Sequence, residues 1–319
     1  MTDSEPTAAR TPDSSVEEVG ETVERVVENV EDAIVGNRAV VEHVLTAMLG
    51  RGHVLLEDVP GVGKTMLSRA IATSFDCSFK RVQFTPDLLP SDVTGANVYN
   101  QKTQSFEFRP GPVFANVVLG DEINRAPPKT QSALLEAMEE GQVTIDGETH
   151  DVPQPFTVIA TQNTVERSQT YDLPMAELDR FMKKLRLGYP DQFEESEMLD
   201  RVVGDHPIEA VEPVATLGDL ERARKVTAAV TVEAPVREYV TRLARYTREY
   251  ADLGASPRAS LLLVRAAQGR AVLDGRDYVV PDDVQTEAQV VLPHRLRTGD
   301  VETSQDELVG NALDRVPVE

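Results

Sequence analysis

The sequence predicts an α/β domain built on a five-stranded parallel sheet, followed by a small all-helical domain. Three observations lead to this prediction. Five short apolar runs alternate with helical patterns up to residue 190, a glycine-rich loop joins the first run to a helical segment, and only helical patterns follow Tyr189-Pro190. Strands that alternate with crossover helices are typical of parallel sheets with both faces covered.

Each strand is expected where a short apolar run is bounded by turn residues. The runs are Val54 to Leu56, Phe79 to Phe84, Asn116 to Gly120, Phe156 to Thr161 and Lys184 to Tyr189. Two antiparallel hairpins are also expected, one in the insert 97–108 and one over Gln142 to Val152, where Asp146-Gly147 is a type I′ turn dipeptide. Between them, Pro128 to Glu140 has a helical apolar face and stops at a glycine.

The chain divides into four segments. Residues 1–20 are polar and acidic and are expected to form a disordered tail, and residues 298–319 have a similar tail-like composition. The sheet and its helices occupy residues 21–190. Residues 191–297 contain five helical runs separated by proline and glycine, so they are expected to form the second domain.

The acidic, lysine-poor composition indicates the conditions under which the protein works. The formal net charge is -22, and only seven of the 32 basic residues are lysine. Such a surface suits molar salt, where charge repulsion is screened over about 3 Å, so we expect a halophilic archaeal source. The same charge disfavours a large nucleic-acid surface, which would be basic.

The distribution of apolar residues and cysteine excludes other classes. No apolar run approaches the roughly 20 residues of a membrane span, and the N-terminus has no basic and apolar leader, so we expect a cytoplasmic protein. Cys77 is the only cysteine, which excludes a disulfide or a cysteine-ligated metal site within one chain.

A phosphate-binding loop is predicted between the first strand and the helix after it. The segment from Pro60 to Met66 reads Pro-Gly-Val-Gly-Lys-Thr-Met, and we expect all of it to contact a nucleotide. Gly61 and Gly63 let backbone N–H groups approach phosphate oxygens, Lys64 reaches the terminal phosphates, and the hydroxyl of Thr65 can bind Mg²⁺. The usual pattern has a further glycine where this chain has Asp58.

Two more groups complete the expected site. Asp121 and Glu122 follow the third strand, where ligands of open α/β sheets bind. Asp121 is expected to hold Mg²⁺, directly or through water, and Glu122 to polarise the water that attacks the γ-phosphate. Upstream of the loop, Val35 and Gly36 follow an isoleucine, and we expect them to form the wall on which an adenine ring rests.

Longer motifs resemble the MoxR family of AAA+ ATPases over about residues 25–300. The motifs lie at Pro60 to Thr65, Leu89 to Gly95, Phe108 to Pro112, Gly120 to Met138, Ala160 to Asn163, Leu178 to Phe181 and Gly254 to Ser260. The resemblance implies an AAA+ P-loop core followed by a helical lid domain, with ATP and Mg²⁺ as cofactors. Asp58 is common in that family, so it does not count against nucleotide binding.

The resemblance also implies roles for three further residues and an assembly. Asn163 resembles the first sensor, which positions the attacking water or senses the γ-phosphate. Arg180 resembles the arginine finger that acts on a neighbouring subunit's nucleotide, which implies a homo-oligomer, most simply a hexamer. Arg258 resembles the second sensor, which touches the nucleotide from the start of a lid helix. The insert and the second hairpin resemble segments that point toward the pore of a ring.

The biological role implied by the resemblance is an ATP-driven, chaperone-like remodelling or maturation factor. It would act on a protein client, in some relatives together with a von Willebrand A domain protein. Three alternatives stay open: a nucleic-acid motor, a metal-chelatase motor subunit and a nucleotide-dependent scaffold. The acidic second hairpin, which has no Lys or Arg, disfavours the nucleic-acid motor.

Overall fold

The computed structural model describes residues 15–163, 171–202, 207–299 and 303–318. Residues 1–14, 300–302 and 319 of the predicted tails lie outside this range. The helices of the described residues are α1 (Val16–Ala33), α2 (Arg38–Leu49), α3 (Lys64–Ser74), α4 (Pro90–Thr94), α5 (Pro128–Glu140), α6 (Met175–Leu178), α7 (Gln192–Val202), α8 (Leu217–Ala229), α9 (Ala234–Tyr250), α10 (Pro257–Leu273), α11 (Pro281–Val291) and α12 (Gln305–Arg315).

The central sheet is parallel and confirms the predicted fold class. Its strands are β1 (Val54–Asp58), β2 (Phe79–Gln83), β5 (Val117–Asp121), β8 (Thr157–Asn163) and β9 (Lys183–Leu185), in the order β2-β5-β8-β1-β9. Every pairing in this sheet is parallel. The carboxyl ends of the neighbouring strands β5, β8 and β1 therefore meet at one edge, where a ligand can contact all three.

Two antiparallel hairpins extend from this domain. The first pairs β3 (Gly95–Asn100) with β4 (Ser105–Pro110), and the second pairs β6 (Gln142–Ile145) with β7 (Glu148–Asp151). In the second hairpin, Asp146 and Gly147 have φ angles of 51° and 87°. Both values lie in the left-handed region, as the predicted type I′ turn requires.

The sheet separates two apolar clusters. Along β1, Val54 and Leu56 pack into a cluster with α1, α2, α3 and the lid helices, α8 to α12. Leu55 packs into a second cluster with α5. This alternation follows from the two-residue period of a strand, and apolar side chains on both sides match a sheet that is covered on both faces.

The lid helices are fixed to the core on the side of α1 and α2. Helix α10 packs against both of these helices. Lys183 of β9 also forms an ion pair with Glu287 of α11 at 2.5 Å, and both side chains are fully buried. Among the described residues, no helix combines the length and the apolar character needed to cross a membrane.

Three predicted boundaries are wrong. Helix α1 already begins at Val16, where the Ser15 hydroxyl caps the helix by accepting from Glu18 N at 3.2 Å, so the predicted N-terminal tail was too long. Helix α12 lies inside the predicted C-terminal tail. It was missed because the segment is polar overall and only three of its residues are buried (Leu308, Val309 and Ala312). Strand β9 ends at Leu185 because the next N–H groups leave the ladder and donate to Asp58.

Candidate functional site

A cavity of about 540 Å³ lies at the carboxyl edge of β1, β5 and β8. It is lined by nine of the residues that the sequence singled out: Pro60, Gly61, Gly63, Lys64, Thr65, Met66, Asp121, Glu122 and Asn163. The structure therefore brings together the loop, the acidic pair and the end of β8. These groups are far apart in sequence and meet only because the strands are neighbours.

The loop has the backbone that a phosphate requires. Gly61 and Gly63 have φ angles of +90° and +92°, and a Cβ atom at either position would meet no atom within 4 Å. Their backbone faces open space in a conformation that other residues rarely adopt. Helix α3 begins at Lys64, so its N-terminal N–H groups face the same cavity. This cradle fits the polyphosphate of a nucleotide.

The ammonium of Lys64 is held over the loop by main-chain oxygens. Its Nζ donates to the carbonyls of Val59 at 2.8 Å and Asp58 at 3.2 Å. Burial lowers the pKa of Lys64, while the nearby carboxylates of Asp58, Asp121 and Glu122 act in the opposite direction. A phosphate oxygen can replace these carbonyls as the acceptor, with a full negative charge in place of a dipole.

The carboxylate of Asp121 is oriented by two neighbouring side chains. Thr161 on β8 donates to Oδ1 at 2.6 Å, and its hydroxyl also accepts from Glu122 N at 2.8 Å. Arg81 on β2 forms an ion pair with the other oxygen, Oδ2. Carboxylate and hydroxyl oxygens are the ligands that Mg²⁺ prefers, so Asp121 and Thr65 fit a metal bound to nucleotide phosphates.

Glu122 has an unusual backbone and a fixed side chain. Its φ angle is +55°, a left-handed conformation that is uncommon outside glycine and is often found at functional sites. Its Oε2 accepts from Gln83 Nε2 at 2.8 Å and from Arg125 Nη1 at 2.9 Å. The carboxylate therefore lies at the cavity wall with part of its hydrogen-bonding capacity already used.

Five polar residues of this cavity were given no role from the sequence: Arg81, Gln83, Thr85, Arg125 and Thr161. Two of them lie on β2, which pairs with β5 so that Gln83 is opposite Asp121. The signal available in the sequence was a polar residue at alternate positions of a strand otherwise expected to be buried. Without the strand order, the sequence did not show that β2 pairs with β5 and so places these residues beside Asp121.

A second cavity, of about 360 Å³, borders the same loop and is mainly apolar. The two cavities share part of the loop: Pro60, Gly61, Gly63 and Met66. Val62 of the loop and Val35 also line the second cavity, together with Met198 and Leu199 of α7. An apolar slot beside a phosphate cradle fits a nucleobase.

Gly36 lies next to Val35 but is not among the residues that line this cavity. Its φ angle is +71°, and a Cβ atom would lie 2.3 Å from a carboxylate oxygen of Glu194. In the structure, Gly36 therefore allows a close approach of α7, rather than forming a wall for the base.

The remaining predicted side chains occupy two different places. Asn163 ends β8 in register with Asp58 of β1 and lines the first cavity. Arg180 and Arg258 line neither cavity. Both contact Glu139 instead, Arg180 through Nε at 3.1 Å and Arg258 through Nη1 at 2.8 Å.

Hydrogen bonds hold the lid to the sheet domain at the start of α10, the helix that carries Arg258. Asp179 accepts from Arg295 Nε at 2.7 Å and from the Ser256 hydroxyl at 3.3 Å, and Ser256 caps α10. Arg295 is buried and also donates to main-chain carbonyls at Phe181 and Met182. These contacts hold Arg258 beside Arg180, away from the residues that line the two cavities.

Comparison with known proteins agrees with this architecture. Residues 53–183 match the model of the ATPase family associated with various cellular activities (AAA), and residues 243–312 match an AAA lid domain. The chain is 53% identical to the uncharacterized protein YeaC of Bacillus subtilis, over 85% of this chain and 86% of YeaC. It is 45% identical to the chaperone MoxR1 of Mycobacterium tuberculosis, over 86% and 75% of the two chains.

A solved structure from Cytophaga hutchinsonii has the same fold. Its TM-score is 0.88 at 37% sequence identity, and the superposition covers 95% of this chain and 96% of the other. The similarity therefore extends over both the sheet domain and the lid helices.

Proposed function

The chain belongs to the MoxR family of AAA ATPases, and from that premise we propose that it binds ATP with Mg²⁺ and hydrolyses the γ-phosphate bond. The observation that supports this most strongly is the pair of cavities that border the same loop. A charged cradle and an apolar slot share one glycine-rich loop, which is the arrangement a nucleoside triphosphate requires.

Each residue of the cradle has a separate task in this proposal. Lys64 and the N–H groups of the loop bind the β- and γ-phosphates, and Thr65 and Asp121 hold the metal. Mg²⁺ bound to the triphosphate neutralises negative charge on the phosphate oxygens. Glu122 orients the attacking water and accepts its proton, and Asn163 fixes that water or the γ-phosphate with its amide.

We propose that the remaining positive charge comes from a neighbouring subunit in a homo-oligomeric ring, most simply a hexamer. Arg180 is the arginine finger, and the contact that both arginines make with Glu139 supports a role for Arg258 on the same neighbouring nucleotide. The resemblance implies that Arg258 touches a nucleotide from the start of a lid helix, and this proposal assigns it the nucleotide of the neighbouring subunit. A fixed guanidinium stabilises charge that develops during phosphoryl transfer.

The biological role that we propose is ATP-driven remodelling or maturation of a protein client. The relative from Mycobacterium tuberculosis is described as a chaperone. A partner with a von Willebrand A domain is part of this proposal. We also propose that the protein works in the cytoplasm of a halophilic archaeon, because its net charge of -22 suits molar salt. Full retention of fold and melting temperature in dilute buffer would argue against the halophilic source.

The second hairpin disfavours a nucleic-acid motor. Its strands and turn carry Asp146, Glu148 and Asp151 and no Lys or Arg, and all three acids are exposed. Such a tip repels phosphate. Strong stimulation of ATPase activity by DNA would favour the motor instead, and insertion of a metal into a porphyrin by a complex containing this chain would favour the chelatase.

Replacement of Glu122 tests the proposed hydrolysis. The variant Glu122→Gln is expected to keep ATP binding and assembly but to turn over at least roughly 100-fold more slowly, because an amide cannot accept the proton of water. Glu136→Gln, an exposed change on α5, serves as the control. ATP affinity by calorimetry and phosphate release at high salt measure the two properties separately. Equal turnover of Glu122→Gln and wild type would refute the role of Glu122.

A further inference from the structure

Glu139 joins three elements that are separate in sequence. It lies in the last turn of α5, Arg180 follows α6, and Arg258 lies in the first turn of the lid helix α10. Its Oε2 is 3.1 Å from Nε of Arg180, and its Oε1 is 2.8 Å from Nη1 of Arg258. One carboxylate therefore holds one arginine from the sheet domain and one from the lid.

The contribution of this contact to stability is small. The side chains of Glu139, Arg180 and Arg258 are 35%, 28% and 38% exposed. Ion pairs at such positions contribute about 0–1 kcal/mol each, and ordering a long arginine side chain costs up to about 2 kcal/mol. The contact instead fixes the relative position of the two guanidinium groups, which would otherwise repel each other.

Side-chain hydrogen bonds link the segments that carry the two arginines. Asp179, next to Arg180, accepts from the hydroxyl of Ser256, the residue that caps the helix of Arg258. Arg295 crosses the same junction and is almost fully buried. The origins of both side chains are thus fixed relative to each other, and Glu139 adds a fixed point at their charged ends.

Most N–H donors of the two guanidinium groups are not used by Glu139. Each group has five N–H donors, and each uses one nitrogen on this carboxylate. Within the described part of the chain, neither arginine forms an ion pair with any other carboxylate. The other donors can therefore bind a phosphate while the contact with Glu139 is kept.

We propose that Glu139 is a positioning residue that holds Arg180 and Arg258 as a pair for the nucleotide phosphates of the neighbouring subunit. This inference rests on the proposed function, in which the two arginines act in trans. Glu139 touches neither the phosphates nor the attacking water. It acts through the arginines by fixing their separation and by offsetting one of their two charges.

The test compares Glu139→Gln with Glu140→Gln. Glu140 is the next residue of α5, is also exposed, and forms no ion pair with another described residue. Glu139→Gln keeps the shape of the side chain and removes its charge, so kcat of the assembled ring is expected to fall about tenfold, as for loss of a charge-assisted hydrogen bond. The KM for ATP, the assembly state and the urea midpoint are expected to stay at their wild-type values. Glu140→Gln is expected to behave as wild type.

A mutant cycle separates this role from a general effect on the ring. Glu139→Gln is expected to cause no further loss when added to the double variant Arg180→Ala/Arg258→Ala, because the residues through which it acts are gone. An undiminished tenfold loss on that background would overturn the inference. Wild-type kcat in Glu139→Gln together with a defective Arg180→Ala would overturn it too, and would leave the proposed function intact. Wild-type kcat in the double variant would instead refute the action of the arginines in trans.

Discussion

Arg81 forms an ion pair with Asp121, the carboxylate that we propose binds the metal. Its Nε and Nη2 both donate to Oδ2 of Asp121, at 3.0 and 2.7 Å. The guanidinium therefore competes with a cation for the same oxygen. Because about half of the Arg81 side chain is exposed, the pair is screened by solvent and can open at a modest free-energy cost.

Removal of this competitor is expected to lower the concentration of Mg²⁺ that the enzyme needs. In Arg81→Gln, the half-saturating Mg²⁺ concentration for ATP hydrolysis should fall roughly three- to fivefold, which corresponds to about 1 kcal/mol. Lys80→Gln removes a positive charge from the adjacent, exposed position of the same strand and should leave it unchanged. Equal Mg²⁺ requirements in wild type and Arg81→Gln would contradict the competition.

Asp58 holds the loop to the segment after β9. Its Oδ2 accepts from the N–H groups of Leu187 at 2.7 Å and Gly188 at 2.8 Å, and its Oδ1 accepts from Val59 N at 2.8 Å. A glycine at this position, as in the usual loop pattern, leaves three N–H groups without this acceptor. Asp58→Gly is therefore expected to lower the free energy of unfolding by about 1–3 kcal/mol.

Urea unfolding measures this effect, with Asp76→Asn as the control. Asp76 is exposed and has a left-handed φ angle of 51°, which asparagine also tolerates. The control should unfold at the wild-type midpoint. A midpoint for Asp58→Gly that equals that of wild type would show that these hydrogen bonds do not stabilise the fold.

The apolar slot predicts how base binding responds to a charge. Met198 lines it, whereas Phe193 on the same helix is 84% exposed and does not. Met198→Asp should weaken the binding of ATP and of ADP alike, by about tenfold, because both nucleotides place the same base against a carboxylate instead of an apolar surface. Phe193→Asp should bind both normally in a calorimetric titration. A loss of affinity for ATP alone would place the base elsewhere.

The buried ion pair between Lys183 of β9 and Glu287 of α11 predicts that stability decreases in acid. Burial raises the pKa of Glu287, but Lys183, His43 and Arg270 outweigh this effect and lower it to about 2. A carboxyl group with a lowered pKa stabilises the fold above its unfolded pKa of about 4.5 and loses this contribution as the pH falls toward 2.

Glu287→Gln should therefore destabilise the protein at pH 7 by about 3–5 kcal/mol, since Lys183 is left buried without its partner. The difference from wild type should shrink below pH 4.5. Denaturant titrations over a pH series measure it, and Glu28→Gln, an exposed change on α1, provides the control. A difference that does not vary with pH would argue against ionised Glu287 in the folded state.

Much of the fold follows from local patterns in the sequence. The presence of five parallel strands, the helix Pro128–Glu140 and the Asp146-Gly147 turn are as predicted, although β9 is shorter than expected. Each depends on interactions within a few residues: an apolar run, a proline that opens a helix, or a dipeptide that tolerates a positive φ angle. Helix α12 was not predicted because its buried face is only a short stripe in a polar segment.

The arrangement around the site could be predicted only in part. The loop and the acidic pair were expected because their chemistry is contained in short motifs. The positions of Arg81 and Gln83 depend on β2 pairing with β5, and that of Arg258 on how the lid packs against the core. Both are set by contacts between residues distant in sequence, to which local periodicity is insensitive.

Mixing two inactive variants shows whether a neighbouring subunit completes the nucleotide site. Arg180→Ala retains the phosphate loop and lacks the finger, whereas Lys64→Ala lacks the loop lysine and retains the finger. Energy transfer between labelled subunits reports that they assemble together, and the double variant Lys64→Ala/Arg180→Ala, mixed with Lys64→Ala, provides a control without a competent interface.

Phosphate release by the equimolar mixture is the decisive measurement. Random assembly places an intact loop beside an intact finger at about one quarter of the interfaces, so we predict recovery of up to about a quarter of wild-type activity, and none in the control. Mixed rings that hydrolyse ATP no faster than either variant alone would refute completion of the site by a neighbouring subunit.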